Sequence, residues 1–228
     1  DDLWDNKNFS LKDLKKLNNF YWFFSLDLKS SKKNIQKIIL NWIKKNIKYN
    51  ANSWEFDLTS KRIIAWLSSH NLTFNESDSD YQKKFNRLIK KQTNHLINEI
   101  NRSNLLDNKI IGCAAIILVG LCYKNEKNYL SYGLNFLTRI SKFSFDNNGF
   151  PKSRNIKQLV FYLKFNATSC YNKVNNNKFY CSCRFNKNFC VHYISIYQVS
   201  CCSSFIKNQL IFCDTQIILN TIQNSRSL

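Results

Sequence analysis

Between Ile110 and Cys122 the chain is apolar around the whole circumference of a helix, with Ala114 and Ala115 at its middle and Gly112 and Gly120 near its ends. A helix of this kind has no face to give to water, so other helices must surround it. It is too short, and too interrupted by its glycines, to span a bilayer, which takes about 20 apolar residues. The surrounding helices are legible on both sides of it. Ser31 is placed to cap a helix with apolar positions Ile35, Ile38, Ile39, Trp42 and Ile43, the i, i+3, i+4, i+7, i+8 stripe of a helix with one buried face. Thr59 is placed to cap the next, with Ile63, Ile64 and Leu67 inward. A long helix from about Asp78 carries Tyr81, Phe85, Leu88, Ile89, Leu96, Ile97 and Ile100 on one side and Lys83, Lys84, Lys90 and Lys91 on the other. Tyr129–Phe143 is amphipathic again, and a turn leads to a last helix through Leu159, Val160 and Leu163. One-sided helices alternating with a fully buried one predict two layers, one inside the other. Residues 1–165 read as all-α.

Composition bounds what such a scaffold meets. The formal charge of +19 on 228 residues predicts a polyanionic neighbour. AT-rich coding, which enriches Lys, Asn and Ile together, is a competing source of the excess. Methionine is absent even from position 1, so the chain is expected to begin inside a longer reading frame. Residues 1–30 show no basic start followed by an apolar run, so no signal peptide is visible in them, which says little about export if the true start lies upstream. The chain carries no Gly-rich phosphate loop, no Ser-His-Asp order and no cluster of paired carboxylates, which leaves nucleotide-dependent and serine-type catalysis without support.

After about Asn166 the character changes. Seven of the nine cysteines lie there, helical periodicity fades, and Asp214 is the one remaining acid. Short patches such as Val191-His-Tyr-Ile-Ser-Ile-Tyr197 permit strands. Residues 166–228 are therefore a small module, a disulfide-bearing segment, or an irregular Cys-rich tail translated out of frame. The abrupt shift favours the last, with the expectation that the tail packs poorly. Cys181, Cys183, Cys190 and His192 also offer four zinc ligands within a short span, though not at the usual C-x2-C spacing. A zinc site there, joined to the basic charge, is the alternative reading: a zinc-dependent nucleic-acid-binding protein.

The helical part resembles the N-terminal domain of the heparinase II/III-like family of polysaccharide lyases. The likeness begins with Asn19-Phe-Tyr-Trp-Phe-Phe-Ser-Leu-Asp-Leu28 and Asn41-Trp-Ile43. It continues through Trp54-Glu-Phe-Asp-Leu-Thr-Ser-Lys-Arg-Ile-Ile-Ala-Trp66, with an Arg and a Trp four residues on. The buried stretch Leu106–Leu121 and the turn Asn148-Gly-Phe-Pro-Lys-Ser-Arg-Asn155 complete it, about residues 10–165 in all. The resemblance implies an incomplete (α/α) toroid of antiparallel helix pairs, which in the family precedes a β-sandwich domain. It implies cleavage of uronic-acid polysaccharides by β-elimination. That reaction needs a group to neutralise the uronate carboxylate, a base for the C5 proton and an acid for the leaving oxygen.

Carried over residue by residue, the resemblance puts the family's Asn-His pair at Asn108 and Lys109 and its Tyr near Gln158, while Pro151 replaces the turn histidine. Asn108 is a candidate carboxylate clamp, with helix N-capping as its other role. Ser153, Arg154 and Asn155 match the family's Ser-Arg-Asn variant, and Arg154 can pair bidentately with a uronate or sulfate, or else brace the turn. Arg62, Trp54 and Trp66 are further candidate substrate contacts, the tryptophans by stacking on sugar rings or, alternatively, as core. No cofactor and no metal are implied for this chain. The expected partners are an acidic polysaccharide and the family's β-sandwich domain, with no membrane span, and with nucleic acid only as the alternative.

Overall fold

The computed structural model describes residues 4, 9–26, 31–123, 127–146, 150–155, 157 and 158. All of these fall in the first of two units into which the chain divides, Asp1–Val191. Seven α-helices run through them: α1 Leu11–Asn18, α2 Lys32–Asn46, α3 Phe56–Ser68, the single turn α4 His70–Thr73, α5 Ser79–Glu99, α6 Leu106–Cys122 and α7 Lys127–Ser144. A 3-10 turn, Tyr21–Ser25, links α1 to α2. The described part is all-α; its one β-type pairing is an isolated bridge between Phe145 and Pro151.

The helix starts follow capping chemistry. Ser10, Ser31 and Asp78 each accept the backbone N–H three residues on, at 3.2, 3.4 and 2.8 Å, which relieves one of the orphan donors of a first turn. Two expected caps fall elsewhere. Thr59 lies inside α3, which starts three residues earlier at Phe56. Asn108 lies in the first turn of α6 and does not cap it; Leu105 takes that position without a side-chain bond.

Side-chain bonds fix how the helices lie. Trp54 Nε1 reaches the Asn46 carbonyl at 2.9 Å, and the Arg62 guanidinium sits 4.1 Å from the Trp42 ring centre. Later residues of α3 thus meet earlier residues of α2, and the pair is antiparallel. Near its start α2 is tied to the segment preceding α5 by Gln36 Nε2 on the Asn75 carbonyl, and the Ile47 carbonyl just past its end receives Lys91 Nζ at 2.7 Å. Those two helices therefore run the same way. Tyr123, Tyr129 and Tyr132 hydroxyls donate in order to Asn86, Asn94 and the Ile97 carbonyl, which sets α7 parallel to α5. So α2, α5 and α7 run one way and α3 the other. In α6 every residue from Ile110 to Gly120 is buried.

Gly120 permits the closest crossing. A Cβ there would fall 2.7 Å from the Leu130 Cα and closer still to its backbone nitrogen, and one on Gly133 would fall 2.6 Å from Ile117 Cγ1. In an open helix Gly→Ala stabilises by about 0.5–1 kcal/mol. Here the crossing reverses the sign: Gly120→Ala is expected to cost about 1–3 kcal/mol, read as a fall in the urea midpoint. A variant more stable than the parent would refute the contact.

Candidate functional site

The candidate residues separate into a surface group at the start of α6 and a buried group around α3. The surface group is assembled by the turn after α7. Asp146 N donates to the Phe150 carbonyl while its Oδ1 accepts from Phe150 N, both at 2.9 Å, and Lys152 N reaches the Ser144 carbonyl at 2.9 Å. Pro151, which has no N–H to lose, sits opposite Phe145. Arg154 takes a left-handed φ of 56°, unfavourable for a residue with a Cβ. Two contacts hold it there: its N–H on the Pro151 carbonyl at 2.8 Å and its Nη1 at 2.9 Å from Asp146 Oδ2. The Arg154 side chain is still 67% exposed, so the ion pair braces the turn and leaves much of the guanidinium facing water.

Beyond the turn, Asn155 Oδ1 accepts from the N–H groups of Lys157 and Gln158 at 3.0 and 3.4 Å, as a capping side chain does. Ser153 Oγ bonds Gln158 Oε1, and Gln158 Nε2 donates to Asp107 Oδ1 at 3.0 Å. Asp107 belongs to the first turn of α6, where the helix dipole favours an acid. That single bond joins positions 51 apart and brings Ser153, Asn155 and Gln158 to the helix turn that also carries Asn108 and Lys109. Both of these are half-buried. The group carries two cations, Lys109 and Arg154, and amides that can hydrogen-bond hydroxyls. It contains no histidine: His70 rests against Phe74, with ring centres 5.0 Å apart, and His95 Nε2 bonds the Trp54 carbonyl at 3.0 Å.

Arg62, Trp54 and Trp66 go the other way. Arg62 is wholly buried. Its Nη1 donates to the Asn18 carbonyl at 2.7 Å, its Nη2 to the Ser53 carbonyl and Thr59 Oγ1 at 2.9 and 3.1 Å, and its Nε to Gln92 Oε1 at 3.4 Å. Trp66 is packed between Phe20, Trp42 and Phe85, and Trp54 is 2% exposed. The expectation of sugar contact fails for these three because their surfaces are already spent on the core. Sequence reasoning missed Asp107, whose one available signal was an acid in a helix's first turn.

Among the described residues no group of three or more His, Cys, Asp or Glu could hold a metal, and no helix is long and apolar enough to cross a membrane. Cys181, Cys183, Cys190 and His192, like the rest of the Cys-rich tail, lie outside the described residues. Against protein-family models, curated proteins and solved structures the chain has no match.

Proposed function

We infer that the helical part is the toroid domain of a heparinase II/III-like polysaccharide lyase and holds an acidic, uronate-bearing chain at the start of α6. The observation that carries this reading is the Gln158–Asp107 bond at 3.0 Å. It gathers at one helix end part of the candidate set, Ser153, Asn155 and Gln158 with Asn108 and Lys109, though the two groups are remote in sequence. The opposition of α3 to the parallel α2, α5 and α7 supports an incomplete (α/α) toroid, which needs one layer of each direction.

In this reading Arg154 and Lys109 neutralise the uronate carboxylate, and Asn108 and Gln158 orient the ring through its hydroxyls. Neither amide can take the C5 proton, so elimination requires a base from the family's β-sandwich domain, and this chain alone binds with little or no turnover. Affinity electrophoresis through alginate and through heparin tests the binding. The parent chain is expected to be retarded by an acidic glycan and not by neutral dextran. Arg154→Gln with Lys109→Gln should weaken that retardation by roughly tenfold. Equal retardation of parent and double variant would remove the site from the α6 turn.

A further inference from the structure

The lysines of α2 and α5 belong to one surface, which the sequence presents as two separate helix faces. Residues 31–54 contain no acid, and neither do residues 81–98. Because α2 and α5 lie side by side in the same direction, these two acid-free stretches are adjacent. Lys33, Lys37 and Lys44 recur along α2 at spacings that keep them on its outer side, Lys48 follows two residues past its end, and Arg87 and Lys91 share the outer side of α5. All six are exposed, and among the described residues none forms an ion pair with a carboxylate. The acids nearby are gathered at one end, where Glu76 pairs with Lys32 and Asp80 with Lys84. The dipole at the C-terminus of α2 accounts for Lys44 and its neighbours. It does not account for Lys33 or Lys37 at the opposite end, nor for Arg87 in the middle of α5.

We propose that this α2–α5 face docks on an anionic phospholipid surface. Two helices side by side present a two-dimensional array of charge, matched to a plane of headgroups and poorly matched to a single polymer strand. Five of the six cations are lysines. Lysine is a point charge on a flexible stem, suited to fluid headgroups that have no fixed geometry, whereas ordered phosphates and sulfates favour the planar fork of arginine. Apolar side chains stand at the edge of the array. Ile47 and Tyr49 are 37% and 64% exposed, just past the end of α2. Lys91 Nζ holds the Ile47 carbonyl, and the Tyr49 ring leans on those of His95 and Trp54, with centres 5.5 and 6.2 Å away. A braced tyrosine and an isoleucine beside lysines match the headgroup boundary, where amphipathic rings and apolar side chains are favoured.

Co-sedimentation of the full chain with phosphatidylcholine vesicles, with and without phosphatidylserine, tests the proposal. Binding is expected only where phosphatidylserine is present and is expected to weaken as salt rises. Lys37→Gln, Lys44→Gln and Arg87→Gln together should weaken it roughly a hundredfold, at about fivefold for each charge. Removing the same charge from Lys12, Lys16 and Lys142 should leave most of it. Ile47→Ser with Tyr49→Ser should weaken binding without changing its salt dependence. Unchanged far-ultraviolet circular dichroism establishes that each variant is folded. Equal loss in both charge-removal variants would reduce the effect to net charge and overturn the proposal. So would equal binding to neutral vesicles, or vesicle binding abolished by equimolar duplex DNA or heparin.

Discussion

Arg62→Ala is expected to destabilise the helical unit by about 3–5 kcal/mol, enough to unfold a large share of a domain of ordinary stability. The opposing terms can be weighed. Burial pushes the Arg62 guanidinium down to about 9, the direction in which desolvation of a cation acts. Against this stand four donor contacts to the Asn18 and Ser53 carbonyls, Thr59 Oγ1 and Gln92 Oε1, each worth about 1.5–3 kcal/mol for a charged donor. The face of Trp42 at 4.1 Å adds about 2 kcal/mol in a dry site. The cation is therefore retained at neutral pH, and its removal leaves two buried carbonyls, a hydroxyl and an amide without their donor, beside a void. A lysine is no substitute, because one ammonium cannot span acceptors on α1, α3, α5 and the loop before α3; Arg62→Lys should lose nearly as much. Arg62→Met keeps most of the volume and isolates the polar part. Urea unfolding followed by circular dichroism reads all three variants. A loss below about 1 kcal/mol in Arg62→Ala, or a methionine variant as stable as the parent, would show the guanidinium to be dispensable.

What the sequence made legible was whatever repeats with the helix or acts within one turn. The buried set Ile35, Ile39, Trp42 and Ile43 lies on the expected stripe, with Ile38 half-buried at its margin. Ser31 and Asp78 cap as expected because the N-cap bond spans three residues. Thr59 was misplaced for an instructive reason. A threonine ahead of an apolar run looks like a cap, yet Phe56 and Leu58 already belong to α3, and the Thr59 hydroxyl serves Arg62. Arg62 itself carries no sequence sign of its role, since two of its acceptors are backbone carbonyls, which every residue has. In the surface group the match of Ser153, Arg154 and Asn155 to a turn was legible. The Gln158–Asp107 pairing was not, because nothing in either side chain specifies a partner 51 positions away.

Alkaline pH should unfold this chain early. Burial raises the pKa values of Tyr21, Tyr81, Tyr123 and Cys113 above their ordinary levels, with Asp78 adding to the effect at Tyr81 and Cys122 at Tyr123, while Arg139 opposes it at Cys113. Each of these groups ionises in the unfolded chain at about pH 9–10 and stays protonated in the fold. The folded state then holds more protons than the unfolded one, so stability is intact below about pH 9 and falls as pH rises through the window above it. The slope is about 1.4 kcal/mol per pH unit for each group once its unfolded counterpart has ionised. Arg62 acts in the opposite sense, since its folded value lies below the unfolded one, but it is one group against four. A domain with ordinary stability of about 5–15 kcal/mol is thus expected to unfold near pH ~11–12, and thermal melts at stepped pH between neutrality and that point measure the slope. Cys113→Ala should flatten it while costing little at pH 7, because its thiol is a small buried group that no other described cysteine pairs with. Tyr81→Phe should flatten it as well but lower stability at neutral pH by about 1 kcal/mol, because the Tyr81 hydroxyl bonds the Thr73 carbonyl at 2.7 Å. A melting temperature that holds constant to pH ~11 would mean that these hydroxyls and this thiol reach solvent more readily than their burial implies.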